Sequence, residues 1–350
     1  MSEDEKYMAR CLQLAENGFS HAAPNPMVGA VIVHNHRIIG EGYHIRCGEA
    51  HAEVHAIRSV KESGLLQEST LYVNLEPCSH YGKTPPCADL IIEKRIPRVV
   101  VGCIDPFAKV AGKGIQKLKD AGIEVTVGIL EKECIQLNRR FITYNQCQRP
   151  YITLKWAESA NGFIDMDRTG GHPCVLSSPL TQMLVHKKRA ENQSILVGRR
   201  TALLDDPSLT VRNWQGENPV RLVIDRHLSL PAHLQLFNGQ APTLIFTEKT
   251  GCSFPHKEYI RLDFQQDILP QILRTLYERH LQTLLVEGGQ ILLQSFLDAN
   301  LWDEILIEKT SAVLPSGVKA PQCPFSLTPN VESHFGSLFF HYTRFQLSPT

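Results

Sequence analysis

Short apolar runs alternate along this chain with longer amphipathic stretches. The opening residues predict a helix through about Asn17, with Ser2 and Glu5 spaced as a capping box and Gly18 just past its end. Residues 27–33 and 37–43 read as the strands of a hairpin turning at His34-Asn35-His36. An amphipathic helix over 49–63 is followed by a strand over 70–75, a helix over 87–94, a strand over 98–103, a helix over 114–122, a strand over 123–127 and a helix over 131–140. The polar run from Tyr144 to Pro150 is the best boundary, because a second series starts there. It comprises a strand over 151–157, a helix capped by Ser177 or Ser178 that carries Pro179 in its first turn and runs through Glu191, strands over 194–197, 220–224 and 242–246, a helix over 265–279, a buried strand over 283–286 and a helix over 291–299. The pattern predicts two α/β domains, 1–146 and 150–350, each a sheet covered by helices. No internal repeat appears.

Composition narrows the class. At 350 residues each half is long enough to bury its own core, and 43% hydrophobic with 21% charged residues is a globular balance. Basic and acidic side chains number 36 each, which argues against a polynucleotide partner, since phosphate-backbone binding calls for a basic surplus or stripe. The ten cysteines show no disulfide pattern. Met1-Ser2-Glu3-Asp4-Glu5 is acidic and lacks the apolar core of a signal peptide, and no apolar run reaches membrane length, so a cytoplasmic protein is expected.

Chemistry is concentrated between His51 and Cys87. His51-Ala52-Glu53 precedes an apolar strand, and Glu76-Pro77-Cys78 follows it, with eight residues between Cys78 and Cys87. One imidazole and two thiolates give a tetrahedral zinc ion three ligands and leave one position open, as a catalytic site needs. Glu53 then serves as the proton carrier for a zinc-activated water. Singly, a His-x-Glu is common and two cysteines are often just small buried side chains. Together, in this order, they follow the zinc deaminase pattern, except that the usual cysteine spacing is two residues. His55, one helical turn after His51, could ligate in its place. A His-Glu-x-x-His protease is disfavoured because Ala52 stands where its glutamate would be.

Four further motifs carry a resemblance. Pro24-Asn25-Pro26-x-Val28-Gly29, Gly42-Tyr43-His44-x3-Gly48-x2-His51-Ala52-Glu53, the Glu76 to Cys87 stretch and Val110-Ala111-Gly112-Lys113-Gly114 resemble the bifunctional riboflavin-biosynthesis deaminase-reductase family, whose own cysteine spacing is eight. The resemblance implies an N-terminal cytidine-deaminase-like α-β-α layered domain and a C-terminal α/β domain similar to dihydrofolate reductase. It also implies one zinc ion per deaminase domain, NADPH, phosphorylated pyrimidine substrates and a homo-oligomer. Asn25, His44, His80 and Lys83 are the expected deaminase substrate contacts, although each by itself reads equally well as a turn or surface residue.

In the second half the resemblance rests on Ile195-Leu196-Val197-Gly198-x2-Thr201-x3-Asp205-Asp206-Pro207-Ser208-Leu209-Thr210-Val211-Arg212 and on Leu285-Val286-Glu287-Gly288-Gly289. There is no Gly-x-Gly-x-x-Gly. Gly288 and Gly289, between a strand and a helix, allow close approach of backbone N–H groups to a pyrophosphate, or simply make a tight turn. By resemblance Lys155, Ser159, Thr201, Asp205, Arg226, Gly288 and Gly289 meet the cofactor, while Ser177, Arg189, Leu209, Arg212 and Glu287 face the reductase substrate. Arg199, Arg200 and Arg226 are alternatives for the 2′-phosphate. Three positions depart from the family: Ala160-Asn161-Gly162 replaces a frequent Leu-Asp-Gly, Val175 stands at a common Trp, and Phe107 at a common Asn.

Three rival readings remain at this stage. A deaminase of another base fused to an unrelated domain is opposed by Lys83-Thr84-Pro85-Pro86 between the cysteines and by the neutral charge. A zinc-stabilised binding protein leaves Glu53 without a task. The third is an active deaminase joined to a degenerate reductase domain.

Overall fold

In the computed structural model the chain forms two compact units, Met1–Gln148 and Arg149–Thr350. The structure describes residues 1–19, 21–81, 85–105, 112–168, 173–250, 255–323 and 327–344.

The first unit runs α1 (Glu3–Glu16), β1 (Gly29–His34), β2 (Arg37–Tyr43), α2 (Ala52–Ser59), β3 (Thr70–Leu75), α3 (Cys87–Glu93), β4 (Arg98–Cys103), α4 (Lys113–Asp120), β5 (Glu124–Val127), α5 (Glu131–Leu137) and α6 (Arg139–Cys147). The capping box at Ser2 and Glu5 is formed. The sheet order is β2-β1-β3-β4-β5, with β1 antiparallel to both neighbours and the rest parallel. Because side chains alternate along a strand, Ala30 and Ile32 of β1 pack with α2, α3 and α4 on one face, and Val31 and Val33 pack with α1 and α5 on the other. Helices on both faces give three layers.

The second unit runs β6 (Tyr151–Glu158), β7 (Phe163–Asp165), α7 (Pro179–Ala190), β8 (Ser194–Gly198), α8 (Arg199–Asp205), β9 (Val220–Ile224), β10 (Thr243–Thr247), β11 (Lys257–Arg261), α9 (Ile268–Glu278), β12 (Thr283–Gly288), α10 (Gln290–Asp298), β13 (Glu304–Lys309), β14 (Val318–Lys319), β15 (Asn330–His334) and β16 (Ser337–Thr343). Its nine-stranded sheet has the order β11-β10-β9-β8-β12-β6-β13-β16-β15, parallel except at β16. Leu284 and Val286 of β12 join the core under α9 and α10, while Leu285 between them joins the opposite core with Ala202 of α8.

Several boundaries differ from the sequence reading. The helix expected over 49–63 is α2 alone, and a 3₁₀ turn covers Ser63–Glu68. The helix expected over 131–140 breaks at Asn138, whose side chain is committed to the backbone of Met27. The polar run at 144–150 is not a linker throughout, since α6 continues to Cys147. Ser178, not Ser177, caps α7 by accepting from Thr181 N–H.

Candidate zinc site and reductase cleft

His51 is the N-cap residue of α2, and Cys87 is the first residue of α3. Cys78 lies two residues beyond Glu76 at the end of β3. The helix α2 sits close on β2 because Gly42 has no side chain: a Cβ there would come within 2.5 Å of the Ala56 nitrogen. Nδ1 of His51 is 3.6 Å from Cys78 Sγ and 3.4 Å from Cys87 Sγ, and the three donor atoms all lie within 4.8 Å of one another. A tetrahedral zinc with ordinary Zn–N and Zn–S bonds has N···S edges of roughly 3.6 Å, so these residues fit the ion. Among the described residues this is the one His/Cys/Asp/Glu group so arranged, and it uses His51 and not His55. The Cys87 thiol donates to the Cys78 sulfur, which lowers Cys78 and raises Cys87.

Glu53 is 3% exposed in the first turn of α2. Burial, with the charge on Cys78 second, pushes its carboxyl up to about 6, and the His51 charge opposes the shift. A carboxyl raised in this way can exchange a proton near neutrality.

His44 is buried, with its ring 5.4 Å from that of His51 and edge-on to it. Its Nδ1 lies 3.1 Å from the Ala50 carbonyl, so Nδ1 carries the proton and Nε2 accepts from the Asn25 amide at 3.0 Å. Burial lowers the His44 pKa, in keeping with that neutral tautomer. The Asn25 carbonyl oxygen is then the acceptor left for a ligand. Asn138 holds both backbone groups of Met27, at 2.8 and 2.9 Å, and Asn74 accepts from Gly29 N–H at 2.8 Å, which fixes the segment behind Asn25. His80 is exposed, and Lys83 lies outside the described residues.

One organising residue was not read from the sequence. The buried Glu76 carboxylate accepts from the N–H groups of Asp105 (3.2 Å), Gly112 (2.8 Å), Gly114 (2.8 Å) and Ile115 (3.3 Å). It supplies from a distance the cap that Gly112 cannot give α4. Its signal was the carboxylate beside a ligand cysteine, but nothing local tied it to α4.

In the second unit a cleft of about 1120 Å³ is lined by Lys155, Ser177, Arg189, Thr201, Asp205, Arg226, Glu287, Gly288 and Gly289, all proposed from sequence. Three other proposed residues are not among its lining. Ser159 is fully buried in a turn, accepting from Phe163 N–H at 2.9 Å. Leu209 is in the core, and Arg212 donates to the hydroxyls of Ser208 and Thr210. The fully buried Arg221, also unread, donates to the carbonyls of Ser208, Gln235 and Ala241, and so anchors the segment leading to Arg212.

A Cβ on Gly288 would lie 2.9 Å from Thr201 Cγ2, and Gly289 (φ +74°) caps α10, so α8 and the α10 N-terminus meet through bare backbone. First-turn N–H groups of a helix lack intrahelical partners and suit a pyrophosphate, so the cleft fits a dinucleotide. Arg189 forms a buried ion pair with Glu287 at 2.6 Å. Burial lowers the Lys155 ammonium, while the charges of Glu287 and Glu308 oppose that shift. Of the arginines considered for the 2′-phosphate, Arg226 is paired with Glu248 at 2.7 Å and Arg199 donates to Ser229 at 2.7 Å.

Fold and site together define a zinc-dependent aminohydrolase joined to an NADPH-dependent reductase. The profile of the cytidine and deoxycytidylate deaminase zinc-binding region matches residues 1–103, and that of the RibD C-terminal domain matches residues 150–316. The chain is 40% identical over 320 residues to the riboflavin biosynthesis protein RibD of Aquifex aeolicus, covering 90% of this chain and 89% of that one. It is 35% identical over 342 residues to RibD of Escherichia coli, covering 91% and 90%. A crystal structure of a Thermotoga maritima diaminohydroxyphosphoribosylaminopyrimidine deaminase/5-amino-6-(5-phosphoribosylamino)uracil reductase superposes with a TM-score of 0.86 at 38% identity, covering 97% of this chain and 98% of that one. The chain belongs to the bifunctional RibD family of riboflavin-biosynthesis enzymes. It carries both halves, and nothing in the comparisons supports a degenerate reductase. Among the described residues no helix is long and apolar enough to cross a membrane.

Proposed function

We propose that residues 1–146 deaminate 2,5-diamino-6-ribosylamino-4(3H)-pyrimidinone 5′-phosphate, and that residues 150–350 reduce the resulting 5-amino-6-(5-phosphoribosylamino)uracil. His51, Cys78 and Cys87 would hold the zinc. When bound, the ion supplies Lewis acidity that lets a water lose its proton near neutral pH. Glu53 takes that proton and gives it to the ring nitrogen as the water oxygen adds to the amino-bearing carbon, then takes the second proton from the added hydroxyl and hands it to the amine as the C–N bond breaks and the C=O bond forms. Asn25, oriented by His44, accepts from the substrate's donor edge. Burial keeps Glu53 away from bulk solvent, so both protons it hands on come from the attacking water.

In the second unit NADPH supplies a hydride. Gly288 and Gly289 would admit its pyrophosphate to the start of α10, with Lys155, Thr201, Asp205 and Arg226 along the same cleft. Arg189, Ser177 and Glu287 would face the sugar, whose C1′–oxygen bond breaks as C1′ gains hydride and the ring oxygen gains a proton, leaving a ribityl chain. Family resemblance supports the further reading of a homo-oligomer, and the free cysteines suit the reducing cytoplasm.

The observation that carries the deaminase assignment is the His51–Cys78–Cys87 triangle at tetrahedral spacing beside the buried Glu53. The test supplies the diaminopyrimidinone phosphate and follows ammonia release and NADPH oxidation separately. Stoichiometric zinc with both signals is expected. A purified chain with four protein donors on the metal, or with no ammonia released, overturns it.

A further inference from the structure

Arg168 follows β7, and every nitrogen of its guanidinium is engaged. Nε is 3.0 Å from each oxygen of Asp165, Nη1 is 3.2 Å from the Leu204 carbonyl, and Nη2 pairs with the Asp205 carboxylate. Its side chain is 9% exposed, and Asp165, Arg168, Leu204 and Asp205 all border the cleft. The pairs therefore tie the β7 end to the last turn of α8 as one wall.

We propose that Arg168 is a positioning residue of the cofactor cleft, which with Asp165 locks the Asp205 carboxylate into a subsite for sugar hydroxyls. The hydrogen-bonding balance favours that ligand chemistry. Two carboxylates share one guanidinium, so Asp205 meets the cleft as a hydrogen-bond acceptor, for which a phosphate has no donor. The oxygen lone pairs not used by Arg168 are acceptors, and of the neutral donors on a dinucleotide the ribose hydroxyls lie nearest the pyrophosphate that Gly288 and Gly289 would admit, whereas the amino and carboxamide groups lie at its far ends. Each nitrogen of Arg168 already donates to a protein acceptor, which ties its effect on a ligand to the Asp205 carboxylate it holds. The paired geometry also limits Asp205 to one rotamer, since a guanidinium held on both sides cannot follow it. Without Arg168, burial would favour a protonated and freely turning Asp205.

This inference rests on the reading of the cleft as the NADPH site, and its test separates the two. NADPH is titrated into the full chain by nucleotide fluorescence, without substrate, using wild type, Arg168→Met, Asp205→Asn, the double variant and Asp165→Asn. Arg168→Met is expected to weaken binding about tenfold, equivalent to about 1.4 kcal/mol. The double variant should bind no more weakly than Asp205→Asn alone, because Arg168 has nothing left to position. Asp165→Asn, which keeps the Arg168–Asp205 pair, should lose less, and it gives the answer if Arg168→Met does not fold. Pyrophosphate should compete equally well against all of these proteins. Unchanged NADPH affinity in both Arg168→Met and Asp165→Asn overturns the inference, as do additive losses in the double variant or a weakened pyrophosphate. A wild type that does not bind NADPH overturns the cleft assignment itself.

Discussion

The Glu76 carboxylate accepts the Gly114 amide at 2.8 Å, and a Cβ on Gly114 would lie 2.0 Å from the Pro77 carbonyl oxygen. Residue 114 thus presses against the backbone one position before the Cys78 ligand. Gly114→Ala must push α4 away from that ligand, an overpacking cost of about 1–3 kcal/mol. The expected result is a lower melting temperature and weaker zinc retention in a chelator competition. NADPH oxidation with the preformed uracil substrate should be unaffected.

Glu53→Gln keeps the shape of the side chain but cannot carry a proton from water to the leaving amine. Ammonia release should fall by about 10²–10⁴-fold, with one zinc still bound per chain by elemental analysis. Full ammonia release in this variant would remove Glu53 from the mechanism.

Metal removal should divide the two activities. A chelator strong enough to strip the His51, Cys78 and Cys87 ligands stops ammonia release, since water then keeps its ordinary acidity. NADPH oxidation with the preformed uracil should continue, because no metal-ligand group is found in the reductase cleft among the described residues. Parallel loss of both signals would place zinc outside the assigned role.

Asp4 gives a pH-dependent prediction. Its carboxylate takes two hydrogen bonds from Arg98, at 3.0 and 2.8 Å, and one from Tyr72 at 2.8 Å. The Arg98 bonds, with Tyr72 assisting against burial, hold its pKa below the ordinary aspartate value. A group lowered on folding adds stability above its unfolded pKa, and that stability is lost as pH falls through the folded value. Asp4→Asn should therefore destabilise the first unit at pH 7 by about 1.5 kcal/mol. The melting-temperature gap to wild type should close as pH falls below the ordinary aspartate range.

How far such features were legible beforehand depends on their range. The His51, Cys78 and Cys87 group was readable because its motif fragments lie at two strand-to-helix junctions, β2 to α2 and β3 to α3, at the ends of strands of one sheet. Alternating apolar positions likewise gave most of the first sheet. Glu76, Arg168 and Arg221 were not readable, because each serves backbone or charges that are remote in sequence. The hairpin β15–β16 escaped for a different reason. Its strand β15 is exposed throughout, so burial imposes no alternation on Asn330–His334. Ser159 shows the converse: its position in a motif pointed to a ligand, and the structure places its hydroxyl in a turn.

The buried Arg189–Glu287 pair allows stability and function to be separated. The side chains are 12% and 8% exposed, and the guanidinium also reaches the Thr210 carbonyl at 3.4 Å. Removing one partner leaves the other's hydrogen bonds unmade at the cleft wall, so Glu287→Leu or Arg189→Met alone should each cost about 1–3 kcal/mol. Replacing both removes the Coulomb attraction and the desolvation cost together, so the double variant should recover much of the single-variant loss in denaturant unfolding. Reduction should not recover with it. If the pair faces the substrate, the double variant folds and binds NADPH yet turns over the phosphoribosylaminouracil slowly, mainly through a raised KM for that substrate. A double variant with wild-type kinetics would make the pair a purely structural cross-link and move the substrate site elsewhere in the cleft.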